Sequence, residues 1–144
     1  MKRFTCPVAV HIFLMRGNQL FLQLRNHTSS FAHEHYVLAG HIDGNETLIQ
    51  TAIREAKEEI GIQINPDDLE FATFCHSNTD NHEYIQVYFW CRKWTGTIQN
   101  NEPDKCSSFG FYDLDHLPDT LVPQLKVALK NALNKIPYYE NGWN

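Results

Sequence analysis

Residues 40–62 read GHIDGNETLIQTAIREAKEEIGI, a short glycine-containing loop followed by an amphipathic helix. Glu55 and Glu58 are three residues apart and Glu55 and Glu59 four apart, so their side chains leave the helix as neighbours, roughly 5–6 Å between Cβ atoms. At about 100° per residue the three carboxylates fan across one sector. Ile49, Ile53, Ala56 and Ile60 occupy the adjacent sector, which must face a core. Like charges at these spacings destabilise an isolated helix by about a few tenths of a kcal/mol per pair. A hard divalent cation with oxygen ligands offsets such repulsion; a solvated charged face is the alternative reading of the run.

The run does not stand alone. Counting from Gly40, five residues lead to Glu46, seven more lead to Arg54-Glu55, and then come Glu58-Glu59 and Gly61-Ile62. This resembles the signature of the Nudix hydrolases, G-x5-E-x7-R-E-U-x-E-E-x-G-U with U aliphatic, and all seven fixed positions agree. At roughly 7% usage per residue type, chance agreement at seven places is on the order of one in 10⁸ windows. The motif occupies 23 of 144 residues. Ala56 fills one aliphatic position. Ala39 stands where many members have the first of two glycines, a residue whose backbone carbonyl contributes to the metal site in that family. An alanine there needs a backbone conformation open to an L-residue.

A carboxylate cluster on a rigid helix beside a glycine turn suits Mg²⁺ or Mn²⁺, since Mg²⁺ is usually held by one or two carboxylates plus phosphate oxygens. Such an ion bridges phosphates, neutralises developing charge and acidifies a water. The resemblance supplies the reaction it implies: hydrolysis of a nucleoside diphosphate linked to another group, by water attack on one phosphorus of the pyrophosphate. Carried over position by position, Glu55, Glu58 and Glu59 are the expected metal ligands, with Glu55 also a candidate general base. Arg54 is expected to orient and charge-balance a neighbouring Glu, and Gly40, Glu46 and Gly61 to support the motif structurally. Glu102 resembles an acidic residue that many members add from outside the motif; a solvated loop Glu is the other reading. The segment NEPDKC (101–106) resembles one in members acting on nucleoside triphosphates, which favours a (d)NTP-type substrate. ADP-ribose or another nucleotide sugar, or a dinucleotide, is the alternative. A non-catalytic nucleotide-binding or regulatory protein of the same fold is the second class, set against the presence of all four motif Glu residues.

Composition agrees with one catalytic domain. A chain of 144 residues with 42% hydrophobic content can bury a single sizeable core. Twelve basic against seventeen acidic residues give a net charge of −5, which argues against a nucleic-acid polymer as partner. Attraction of a polyanionic substrate then falls to metal ions and a few local Arg or Lys. Cys6, Cys75, Cys91 and Cys106 are widely spaced, so neither a zinc site nor a disulfide framework is expected. The segment MKRFTCPVAVHIFLMRG is interrupted by His11 and Arg16 and reads as a first strand rather than a signal peptide. No run approaches the roughly 18 apolar residues of a membrane span. A cytoplasmic protein acting on a small-molecule nucleotide is expected, away from membranes, with a homodimer left open.

Along the chain, residues 7–15 and 19–25 read as a hairpin turning at Arg16-Gly17-Asn18. Arg25, at its end, is either directed at a phosphate or an exposed strand-end residue. Residues 26–35 form a polar loop whose histidines, His27, His33 and His35, read better as solvated than as ligands. A short strand, 36–39, feeds the motif. Thr47 and Gln50 have capping-box spacing and Gly61 the position of a left-handed cap. Residues 68–77 and 84–94 are strands joined by NTDNHE, with Ile85, Val87 and Phe89 on one side and Tyr84, Gln86, Tyr88 and Trp90 on the other. A strand FGFYDL follows the loop 99–108. A second helix, 121–136, carries an apolar stripe at Leu121, Leu125, Leu129 and Leu133, and the segment YYENGWN is expected to drape on the surface. Phe31, Tyr84, Phe109 and Tyr112 are candidates to stack on a base, each also readable as packing. The order β-β-β-α-β-β-β-α does not alternate as a Rossmann fold does. It predicts one α/β domain over 1–144, a mixed, curved central sheet flanked by helices. The Nudix resemblance implies the same α/β/α sandwich.

Overall fold

The computed structural model describes residues 1–26 and 32–143. Strand β1 (Val8–Arg16) is its axis. Along one edge it pairs in parallel with β6 (His82–Cys91), from Val8 opposite Ile85 to Leu14 opposite Cys91. Its other partners divide its length: β4 (Leu38–His41) pairs Ala9 to Ile12, and β2 (Gln19–Arg25) pairs Met15 and Arg16. β2 continues to β3 (His35–Tyr36) and β7 (Cys106–Asp113), and β6 continues to β5 (Leu69–Thr79). The sheet is therefore mixed, as expected.

Strand alternation sends β1 into two cores. Val10, Ile12 and Leu14 join Val87, Phe89 and Cys91 of β6 beneath helix α1 (Leu48–Ile60), where Ala52, Ala56 and Ile60 are buried. Phe13 and Met15 join Tyr88 and Trp90 beneath helix α2 (Pro123–Leu133), which contributes Leu125, Ala128, Leu129 and Ala132. One helix covers each face, the expected sandwich. Among the described residues no helix is long and apolar enough to cross a membrane.

Four expectations need correction. The segment YYENGWN is not merely draped: Tyr138–Asn141 form β8, parallel to β5, and Trp143 Nε1 donates to the His76 carbonyl at 2.9 Å. The α2 stripe does not include Leu133, which is 50% exposed at the helix end; the alanines at 128 and 132 take the buried places. Strand β7 starts at Cys106, inside the expected loop, because β2 offers it partners as far as Arg25. The strand before the motif breaks at Val37 into β3 and β4, which pair with β2 and β1 respectively. The β5–β6 hairpin turns on Asp80 and Asn81, both at positive φ (54° and 64°), the backbone of a type I′ turn.

Candidate active site

Helix α1 starts where the capping residues place it. Thr47 Oγ1 accepts from the Gln50 N–H at 3.0 Å and Gln50 Oε1 accepts from the Thr47 N–H at 2.8 Å. Gly61, at φ 75°, closes the other end and donates to the Lys57 carbonyl. With both ends fixed, the carboxylates keep their helical spacing, and the residue that organises them is Arg54.

The Arg54 guanidinium grips Glu46 through Nη2 to Oε1 at 2.7 Å and Nε to Oε2 at 3.1 Å. Nη1 donates to Glu55 Oε1 at 2.8 Å and Glu58 Oε2 at 3.3 Å, and Nη2 also reaches the His41 carbonyl at 3.2 Å. Paired, charge-assisted bonds of this kind are about twice as strong as neutral ones. They hold the Glu46 carboxyl down at about 2, and Thr51 Oγ1 donates to it as well. Glu46 thus anchors Arg54, and Arg54 aims Glu55.

Gly40 lets Glu55 come close. A Cβ on Gly40 would lie 2.1 Å from Glu55 Cδ, so any other residue there collides with the carboxylate. Ala39 is not among the residues at positive φ and sits in β4 opposite His11, so alanine is accommodated without strain.

Glu59 points into the fold. It is 4% exposed, accepts from the Ala39 N–H, and leaves Oε2 buried without a hydrogen-bond partner among the described residues. Burial, reinforced by the negative charges of Glu55 and Glu102, pushes its carboxyl up to about 8. Glu55 is raised too, chiefly by desolvation and despite Arg54. Glu102 arrives from a loop that docks on the C-terminal carbonyls of α1: Gln99 N–H donates to Ile60 O at 2.9 Å and Asn101 N–H to Glu59 O at 3.1 Å. Asn100 Oδ1 then accepts from the Glu102 N–H at 3.1 Å.

Glu55, Glu59 and Glu102 line one cavity of about 300 Å³ together with Arg25, whose Nε is buried without a hydrogen-bond partner among the described residues. A second cavity, about 440 Å³, lies on the opposite face of β4 and shares Arg25 and residues 39–41 with the first. Its walls include His11, Tyr36, Tyr84, Gln86 and Gln124.

A sequence profile of the NUDIX domain matches residues 6–132. The chain belongs to the Nudix hydrolases. Its fold is similar to that of a MutT NUDIX hydrolase from Burkholderia pseudomallei, with a TM-score of 0.78 and 21% identity, covering 88% of this chain and 98% of that one. A MutT protein from Methanosarcina mazei gives a TM-score of 0.75 at 15% identity, covering 89% and 93%. A UDP-X diphosphatase gives 0.70 at 12% identity, covering 98% and 69%. At these identities the likeness is one of fold.

Within this Nudix frame, Glu46, Arg54, Glu55 and Glu58 form one bonded group, and Arg25, Glu55, Glu59 and Glu102 meet at one cavity. The Glu58 side chain, 57% exposed, lies beside Arg54 and is not among the cavity's lining residues. Among the described residues no three His, Cys, Asp or Glu side chains are gathered at metal-ligating spacing; Arg54 draws Glu55 and Glu58, two of the three expected ligands, towards itself. His27 and Phe31 lie outside the described residues. His35 is not a solvated loop residue but part of β3, with Nδ1 2.6 Å from Thr120 Oγ1 and Nε2 3.2 Å from Tyr112 Oη. That bond also accounts for Tyr112. Phe109 is 41% exposed and packs against Phe21, which leaves Tyr84 as the proposed aromatic that lines a cavity. His11, Gln86 and Tyr36, which line the second cavity, were not among the expected site residues. The available signal was a polar His inside the apolar run VAVHIFLM.

Proposed function

We propose that the chain hydrolyses the pyrophosphate bond of a nucleoside diphosphate linked to another moiety, with a (d)NTP-type nucleotide as substrate and Mg²⁺, or Mn²⁺, as cofactor. The observation that carries this reading is the orphaned, buried Oε2 of Glu59 beside Glu55. A buried carboxylate is tolerated when it is paired or coordinates a cation. The chemistry of the donors suits a hard divalent ion: Glu55 and Glu59 line one cavity, and Glu58, held beside Glu55 by Arg54, would turn inward to join them. When bound, the cation supplies charge neutralisation for the phosphates and activation of the attacking water.

The chain's own residues do the rest. Arg54 fixes the Glu55 carboxylate through Nη1, and the raised Glu55 carboxyl makes it the candidate base. Arg25, lining both cavities, offers its guanidinium to a phosphate oxygen between them. Glu102 closes the carboxylate cavity from the opposite loop.

The test is a panel of nucleoside triphosphates, nucleotide sugars and dinucleotides incubated with Mg²⁺ and scored by product. The expected result is a nucleoside monophosphate plus pyrophosphate from a triphosphate, abolished by excess chelator. Faster cleavage of ADP-ribose to AMP and ribose phosphate overturns the substrate, and full turnover in chelator overturns the metal-dependent reaction.

A further inference from the structure

The second cavity has a chemistry unlike the first. Among its described lining residues there is no Asp or Glu. Strand parity produces this: Gly40 faces Glu55 on the α1 side, so Ala39 and His41 face the other way, onto the surface where β1 and β6 display His11 and Gln86. Ala9 is the register partner of Gln86, and His11 that of Tyr88.

His11 is an unusual wall residue. It is 2% exposed, stacked on Tyr88 at 4.4 Å between centroids and 16° between planes, and its Nε2 lies 2.7 Å from Gln86 Oε1. An amide oxygen accepts, so Nε2 carries the proton and Nδ1 is left as an acceptor, buried without a partner among the described residues. Burial holds this imidazole neutral, with its pKa lowered to about 4. With Oε1 committed to His11, Gln86 has its NH₂ to offer the cavity, a donor.

We propose that Gln86, oriented by His11, reads the heterocycle of the substrate in this cavity, donating to a ring nitrogen or carbonyl oxygen of an uncharged nucleobase. Gln86 is the specificity-determining contact and His11 a positioning residue. The inference rests on the hydrolase reading and adds the requirement for a base: a polyphosphate without a heterocycle engages Arg25 and the carboxylate side alone.

The test compares the parent with Gln86→Glu and His11→Phe, which removes the hydrogen bond and keeps a ring against Tyr88. For the triphosphate the parent prefers, KM rises about tenfold in each variant, the scale of one lost hydrogen bond, while kcat stays within about threefold. Inorganic triphosphate, used as a competitive inhibitor without a base, keeps its inhibition constant. The double variant is no worse than Gln86→Glu alone, because His11 acts through Gln86. An unchanged KM in an active Gln86→Glu enzyme overturns the base contact, as does an inhibition constant that rises with KM. Additive effects in the double variant overturn the positioning role of His11. A parent that hydrolyses no nucleotide in Mg²⁺ overturns the hydrolase reading itself, a result distinguishable from the others.

Discussion

Glu59 is the residue where folding and chemistry pull in opposite directions. Its carboxyl is raised from 4.5 to about 8, so the fold retains a proton that the unfolded chain releases. Between those values the unfolded state binds fewer protons, and stability falls as pH rises. His11 acts with the opposite sign below 6.5, because its folded pKa is lowered to about 4. The window from pH 6.5 to 8 therefore isolates the carboxylates. In chelator, the melting temperature is expected to fall across that window, and Glu59→Gln should flatten the fall. A parent melting curve independent of pH there would remove the argument for an uncompensated buried carboxylate. A second prediction belongs to Glu55: Glu55→Gln keeps the shape and removes the charge, and should cost at least about 10²-fold in turnover at saturating Mg²⁺. Glu70→Gln is the control. Its side chain is 75% exposed and reaches Arg92 only at 3.7 Å, a surface pair worth about 0–1 kcal/mol, so its turnover should stay within a few-fold. Equal turnover by parent and Glu55→Gln would reduce the helix to a solvated face.

The elements show why spacing was informative in some places and silent in others. In α1 every relation that matters is local: the Thr47–Gln50 box, the Arg54–Glu58 turn, and the eight residues from Glu46 to Arg54. Such relations are legible because helix geometry converts sequence distance into spatial distance. The approach of Gly40 to Glu55 links two elements, and the motif's glycine announces it. Gly40→Ala tests it: a Cβ 2.1 Å from Glu55 Cδ must displace the carboxylate or shift β4. Turnover should fall by about 10²-fold or more, the cost of misplacing a reacting group by about an ångström, while circular dichroism reports a folded chain. An alanine variant as active as the parent would show that Glu55 need not hold this position. The His11–Gln86 contact joins residues 75 positions apart through a parallel strand pair, and no local period encodes which strands become parallel neighbours. In α2, the apolar period runs one turn further than the buried face, to Leu133, since periodicity gives a helix face but not where the sheet beneath it ends.

At the scale of the molecule, the sheet terminates in β8, a strand of four residues with no hydrophobic run to announce it. Its ladder to β5 runs from Phe74–Tyr138 to Ser77–Asn141, and Tyr139 packs against the core beneath α2. Gly142, at φ 82°, then brings the chain against Asn78, where a Cβ would lie 1.9 Å from the carbonyl oxygen, and Trp143 stacks edge-on to His76 at 4.8 Å. β8 covers an edge that β5 would otherwise present to solvent, a row of unpaired N–H and C=O groups prone to pairing with another chain. Removing the chain from Tyr138 onward is therefore expected to act in two ways. Loss of the partly buried Tyr139 and Trp143 side chains costs on the order of 3 kcal/mol, which lowers the melting temperature by about 10 °C for a chain of this size. The uncovered β5 edge should then promote concentration-dependent self-association, measured by size-exclusion chromatography with light scattering. Because the carboxylate cavity is built from β2, β4, α1 and the loop at Glu102, the truncated chain should keep Glu55, Glu59 and Glu102 in place below its melting temperature. A truncated chain that melts with the parent and stays as dispersed would mean that β8 is a surface strap with no part in stabilising or closing the sheet.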